Sequence, residues 1–252
     1  MRPDLTFRSL WRQYRQDKFA KELATDWAAA LLYRAPGFWL VALLAPTGIS
    51  PTAVTLAAVP VVLAMPLAAL TLPLAAAAVA VALLAALFQT LDCTDGALAR
   101  ATGRSSARGG ALDFVIDMGQ WGFFYTSIGL LADRVAAGDT VAGFFWTALA
   151  AVAAWLRLYA RVIRDARPAA PTGPAAPGPA WLGLFDIVER GISGLSGALP
   201  VLLILAFFTG TLPALVVFLL AYSLLDVGDA ALATFRGWPR DSGDTGEESS
   251  GA

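Results

Sequence analysis

Four aspartates lie close together in the stretch Leu91–Asp117, LDCTDGALARATGRSSARGGALDFVID. Asp92 and Asp95 are spaced i,i+3, and Asp113 and Asp117 are spaced i,i+4. Either spacing puts both carboxylates on one face of a helix. Strongly apolar segments flank the stretch on both sides. A charge near the end of a membrane helix is costly unless it is paired, metal-bound or facing water. The first base after Asp92 is Arg100, so these acids do not satisfy one another. Divalent metal is the simplest missing partner. The chain has no histidine, so metal binding and proton transfer fall to carboxylates, which favour hard cations such as Mg2+, Mn2+ or Ca2+ over Zn2+.

The elements that position these acids follow from composition. Hydrophobic residues make up 58% of the chain and charged residues 15%, with mean hydropathy +0.64. Soluble domains carry about 25% charged residues, so the expectation is an all-α integral membrane protein. The net charge of -1 conceals clustering of charge between apolar runs. One cysteine, Cys93, excludes an internal disulfide and reads as a packing residue.

Residues 1–26 are charged throughout, without the apolar core of a signal peptide. Phe7, Leu10, Trp11, Tyr14, Phe19 and Leu23 recur at helical spacing, which predicts an amphipathic helix on the membrane surface. Residues 27–47 are apolar but interrupted by Arg34, Pro36 and Gly37, and read as an in-plane or re-entrant continuation. Residues 1–48 thus form a juxtamembrane segment. Six spans are expected within 49–235, over about 51–70, 73–100, 110–131, 140–164, 182–208 and 212–234. Pro51 suits a first helical position. Pro168, Pro171, Pro174, Pro177 and Pro179 mark 165–180 as a loop. The tail 236–252 is polar, acidic and expected to be disordered.

Charge asymmetry tests the layout. Arginine and lysine gather at the N-terminus and at 100–108, 157–167 and 236–240, whereas the other connections share only Arg134. Six spans with both termini in the cytoplasm place every basic cluster, and the four acids, on the cytoplasmic side. A seventh span at 27–47 would put the N-terminal cluster outside.

As a pattern, the central stretch is D-x-x-D-G-x-x-A-R, eight residues, then G-x-x-x-D-x-x-x-D, filled by Asp92, Asp95, Gly96, Ala99, Arg100, Gly109, Asp113 and Asp117. This closely resembles the signature of the CDP-alcohol phosphotransferases, across about a tenth of the chain. GISPTAVTL, at 48–56, also resembles that family's first-span start, with Thr52 where the family usually has Asn or Asp. The resemblance implies a six-span, homodimeric enzyme of phospholipid biosynthesis in the cell membrane, with its active site facing the cytoplasm. Such an enzyme transfers a substituted phosphate from a CDP-alcohol to a hydroxyl acceptor, releasing CMP. It further implies two divalent cations, Mg2+ or Mn2+, on Asp92, Asp95, Asp113 and Asp117, with Asp117 also the base. Gly96, Ala99, Arg100 and Gly109 would bind the nucleotide.

The expected donor is CDP-diacylglycerol and the acceptor a small polar alcohol or its phosphate. In the phosphatidylinositol-phosphate synthase branch, which GRSS in the spacer also resembles, basic residues after the fourth span hold the acceptor phosphate. Arg157, Arg161 and Arg164 share one face there, with Arg190 opposite. The other reading of these arginines is topology anchoring. Taken singly, each aspartate reads as a solvated helix end; at this joint spacing the four do not. No nucleic-acid partner is expected. The competing readings are a transferase of the CDP-choline or CDP-ethanolamine type with a lipid acceptor, a cation or solute transporter, and a catalytically silent scaffold.

Overall fold

A computed structural model describes residues 5–138, 143–166 and 180–237, with side chains given for 194–234 of the last stretch. The prolines at 168–179 and the tail 238–252 lie outside the described residues, as do the side chains of Glu189 and Arg190. The described chain is all-helical: α1 (Phe7–Asp17), α2 (Phe19–Thr25), a π turn (Ala29–Tyr33) leading into α3 (Arg34–Leu44), a 3-10 turn (Ala45–Thr47), then α4 (Pro51–Thr71), α5 (Leu74–Thr102), α6 (Ala107–Ala136), α7 (Phe145–Asp165), α8 (Ala180–Phe208) and α9 (Leu212–Gly237).

Local chemistry sets these boundaries. Ser50 caps α4 by accepting the Ala53 N–H at 3.2 Å, and Pro51 follows at the first helical position. Gly103 ends α5 in the left-handed region at φ +66°, while the Arg104 N–H returns to the Ala99 carbonyl at 2.9 Å. Three residues on, the Ser106 hydroxyl accepts the Gly109 N–H at 3.0 Å and starts α6. Helix α5 and helix α6 are thereby joined by a short reversal.

Among the described residues, five helices are long and apolar enough to cross a membrane: Ala29–Thr47, Pro51–Thr71, Leu74–Thr102, Phe145–Asp165 and Leu212–Thr234. By length and composition, this is a membrane protein. The set differs from the sequence expectation in two places. Ala29–Thr47 qualifies, because Arg34, Pro36 and Gly37 do not break its helix: they fall in its first turn after the π stretch. Helix α6 does not qualify, since Asp117, Gln120, Tyr125 and Ser127 dilute its apolar run. Side chains of α8 are described only from Gly194, so the span expected at 182–208 lies partly outside the described residues.

Small residues let helices approach closely in a membrane bundle, and large ones fill the spaces between them, as Met65, Phe88, Phe124, Tyr125 and Leu131 do here. On α5, Ala77, Ala78, Val81, Ala82 and Ala85 are buried, while Leu83 and Leu87 are exposed. Helix α4 packs on α5 and α6, and α7 lies against both α6 and α9. At one end of the bundle, two adjacent residues of α6 serve the termini of its neighbours. The Asp133 carboxylate accepts the N–H groups of Trp146 and Thr147 at 3.0 and 2.9 Å, capping α7 from outside. Arg134 donates to the Ala69 carbonyl near the end of α4 at 2.5 Å. Gly129 makes the α6–α7 approach possible, because a Cβ there would lie 2.5 Å from Thr147 Cα.

The N-terminal helices are clamped to the bundle. Leu10 and Tyr14 of α1 pack with Phe38 and Val41 of α3 and with Leu98 of α5. Glu22 accepts hydrogen bonds from Arg34, one of them from Nε at 2.9 Å, and from the Tyr14 hydroxyl. The Arg34 guanidinium also lies over the Tyr14 ring. Burial works to raise the Glu22 carboxyl, but the bonds from Arg34 and Tyr14 outweigh it and hold the group below its ordinary value. Burial, and then the Glu22 bond, push the Tyr14 phenol up.

Two outcomes follow from these contacts. Asp133→Ala should lower stability by roughly 1–3 kcal/mol, because it leaves two helix-end donors unmet; thermal unfolding in detergent reads this, and an unchanged midpoint refutes the capping role. Because the folded Glu22 carboxyl is depressed, its stabilisation is present above the ordinary glutamate value and lost as pH falls through the folded one. Proteolysis within α1–α2 should therefore accelerate in that acidic window, and Glu22→Gln should remove the pH dependence.

Candidate functional site

The α5–α6 reversal sets the aspartate pairs face to face. Asp92 and Asp95 lie near the end of α5, and Asp113 near the start of α6. Each offers a carboxylate oxygen within 4.8 Å of the other two. Asp117, one turn further along α6, stands outside that set but within electrostatic reach of Asp92, Asp95 and Asp113. Three of the four predicted ligands thus converge, with the fourth beside them.

The donors fit a hard cation. Oxygens on opposite sides of a Ca2+ ion are about 4.8 Å apart and on opposite sides of Mg2+ about 4.1 Å. The three oxygens lie within the span of the larger ion, and around Mg2+ the widest pair would close by up to about 0.7 Å, with pairs at adjacent coordination positions closing further. Asp95, 6% exposed, is also oriented from behind: the Thr55 hydroxyl of α4 donates to it at 2.5 Å. Such outer-shell bonds fix a ligand before the metal arrives. Thr55 escaped the sequence reading, although it follows the Pro51 start by one helical turn and therefore shares its buried face.

A cavity of about 180 Å³ opens next to Asp95 and Asp113. Gly96, Ala99, Arg100 and Gly109 all line it, together with Thr52. The four positions expected to hold a nucleotide therefore share one cavity with two of the acids. The glycines have local reasons as well. A Cβ on Gly96 would sit 3.2 Å from an Arg100 nitrogen, and one on Gly109 would sit 3.1 Å from the capping Ser106 hydroxyl. Arg100 also lines a second cavity, of about 160 Å³, between α1, α3 and α5, where Arg34 is found. Arg104 donates to the Gly48 carbonyl at 3.2 Å, tying the α5–α6 turn to the start of α4. Cys93 packs on α3, where a Gly37 Cβ would lie 3.2 Å away.

The three arginines of α7 separate into different environments. Arg157, buried, pairs with Asp226 of α9 at 2.9 Å and is held between the faces of Trp121 and Tyr222, 4.7 and 4.6 Å from the ring centroids. Arg164 pairs with Asp226 at 2.5 Å and with Asp229 at 3.1 Å. Arg161, more exposed, pairs with Asp165 at 3.3 Å and lies over Phe114, next to Asp113. Among the three, only Arg161 adjoins the acid cluster. The α9 acids, 69 residues from Arg157 in sequence, gave no spacing by which their partners could be found.

No protein-family model matches the chain, and no curated protein matches it in sequence.

Thr55→Val should weaken Mn2+ binding by about tenfold or more through loss of the outer-shell bond to Asp95. Titration followed by electron paramagnetic resonance measures this, with Asp113→Asn as the variant expected to lose a ligand outright. Equal Mn2+ affinity in wild type and both variants would remove the metal reading.

Proposed function

We propose that the chain is a metal-dependent CDP-alcohol phosphotransferase of phospholipid biosynthesis. The observation that carries this reading is the convergence of Asp92, Asp95 and Asp113 at the edge of a cavity lined by Gly96, Ala99, Arg100 and Gly109. An acid cluster alone fits many roles. The cluster beside a small-residue cavity lined by Arg100 and Arg104 suits a pyrophosphate ester.

When bound, two divalent cations would neutralise the pyrophosphate oxygens and the departing nucleotide. The four aspartates hold them, with Thr55 fixing Asp95. Arg100 can donate its guanidinium fork to a phosphate, and Gly96 and Gly109 present bare helix surface to the nucleotide. Asp117 stands to one side of the three converging carboxylates, where it can take the proton of the acceptor hydroxyl. The acceptor oxygen forms a bond to the β-phosphorus, the one bearing the alcohol; the bond from that phosphorus to CMP breaks, and the proton passes to the Asp117 carboxylate.

In the membrane, α4–α9 form six spans and α1 lies along the surface as an amphipathic helix. Both termini and the acids face the cytoplasm, as the basic clusters require. The chain is a homodimer of the cell membrane. CDP-diacylglycerol is the donor.

The test is CMP release by the purified protein with CDP-diacylglycerol, Mg2+ or Mn2+, and candidate alcohols. Asp117→Asn should reduce release by about 100-fold or more. If neither CDP-diacylglycerol with small alcohols nor CDP-choline with diacylglycerol yields metal-dependent CMP, the proposal fails.

A further inference from the structure

Among the described residues, three fully buried side-chain atoms have no hydrogen-bond partner: the Tyr125 hydroxyl of α6, Nε of Arg157 on α7 and the Ser223 hydroxyl of α9. Unmet polar groups inside an apolar bundle are costly and rare. Here all of them fall on three helices that pack together. We propose that these three groups hold one internal water molecule between α6, α7 and α9. The inference is independent of the phosphotransferase reading.

The Arg157 guanidinium is the centre of the site. Its Nη1 donates to Asp226, and the rings of Trp121 and Tyr222 lie over it. The Nε–H points in the guanidinium plane, where neither ring meets it. Tyr125 stands one turn beyond Trp121 on the same face of α6 and is within electrostatic reach of Arg157. On α9, Ser223 follows Tyr222 directly and precedes Asp226 by one turn. Each orphaned hydroxyl is thus a neighbour, along its own helix, of a residue that touches Arg157. The chemistry of the three groups selects water. A guanidinium only donates, whereas a hydroxyl donates or accepts. One water can accept from Nε and from one hydroxyl and donate to the other, which is the usual complement of about three bonds for a buried water. A cation is repelled by Arg157, and an anion by the Asp226 carboxylate on the same guanidinium.

The experiment is pulsed X-ray radiolysis of the purified full chain in 18O-labelled water, read by mass spectrometry. Hydroxyl radicals form from water and mark the side chains beside it, including those beside water held inside a protein. Tyr125, only 1% exposed, should take up the label, whereas Met65, fully buried in the apolar core, should not. Label on Tyr125 should fall severalfold in Ser223→Ala, which removes one holder of the water. An unlabelled Tyr125 overturns the inference. So does equal labelling of Met65, which would mean general entry of water, or a Tyr125 label that Ser223→Ala leaves unchanged.

A second arm reads stability. A hydroxyl bonded to water loses that bond on replacement, whereas a hydroxyl that meets nothing is better removed. Tyr125→Phe should therefore lower the thermal midpoint by about 2–4 °C. A midpoint that stays the same or rises overturns the inference.

Discussion

Negative charge gathered within an apolar bundle is the constraint on which the rest of this molecule depends. Asp92, Asp95 and Asp113 sit within 4.8 Å of one another, and like charges at such distances repel strongly where water is scarce. Backbone geometry favours the gathering, since the turn at Gly103 and the cap at Ser106 reverse the chain between α5 and α6 within a few residues. Thr55 then holds Asp95 from the third side. Of the guanidiniums nearby, Arg157 and Arg164 are engaged with α9 and Arg34 with Glu22, while Arg100 lines the adjoining cavity and Arg161 lies over Phe114. Carboxylates gathered this closely suit a cation from solution.

Around this centre, two kinds of packing divide the labour. Alanines and Gly129 bring α4, α5, α6 and α7 into close contact, and Met65, Phe88, Phe124 and Tyr125 fill the core between them. Polar pairs are placed at helix ends and between distant helices, as Asp133 at the start of α7 and Arg157 with Asp226 show. The Arg157–Asp226 pair between Trp121 and Tyr222 fixes α7 to α9 just beyond Asp117 on α6. The cavity beside Gly96 and Gly109 lies next to Asp95 and Asp113.

Much of this was legible in the sequence because it is local. Apolar runs, the Pro51 start and the proximity of the two aspartate pairs are all encoded within a few helical turns. The glycine positions facing the cavity were equally visible, although part of their reason, room for Arg100 and for the Ser106 cap, was not. What stayed hidden is long-range. Glu22 and Arg34 belong to different helices, and Arg157 meets Asp226 across the bundle. Periodicity locates a side chain on a face but says nothing of which helix covers that face. Hence the α7 arginines read equally as anchors or as an anion site. Interruption by Arg34, Pro36 and Gly37 argued against a membrane-length helix at 29–47, yet Pro36 falls in the first turn of α3, where its missing N–H costs little.

The neighbouring residues Asp133 and Arg134 look opposite ways along the chain. Arg134 reaches back to Ala69, made before it, whereas Asp133 reaches forward to Trp146 and Thr147, made after it. One turn of α6 thereby links an element before it in the chain to an element after it, so α4, α6 and α7 share a single polar junction at this end of the bundle.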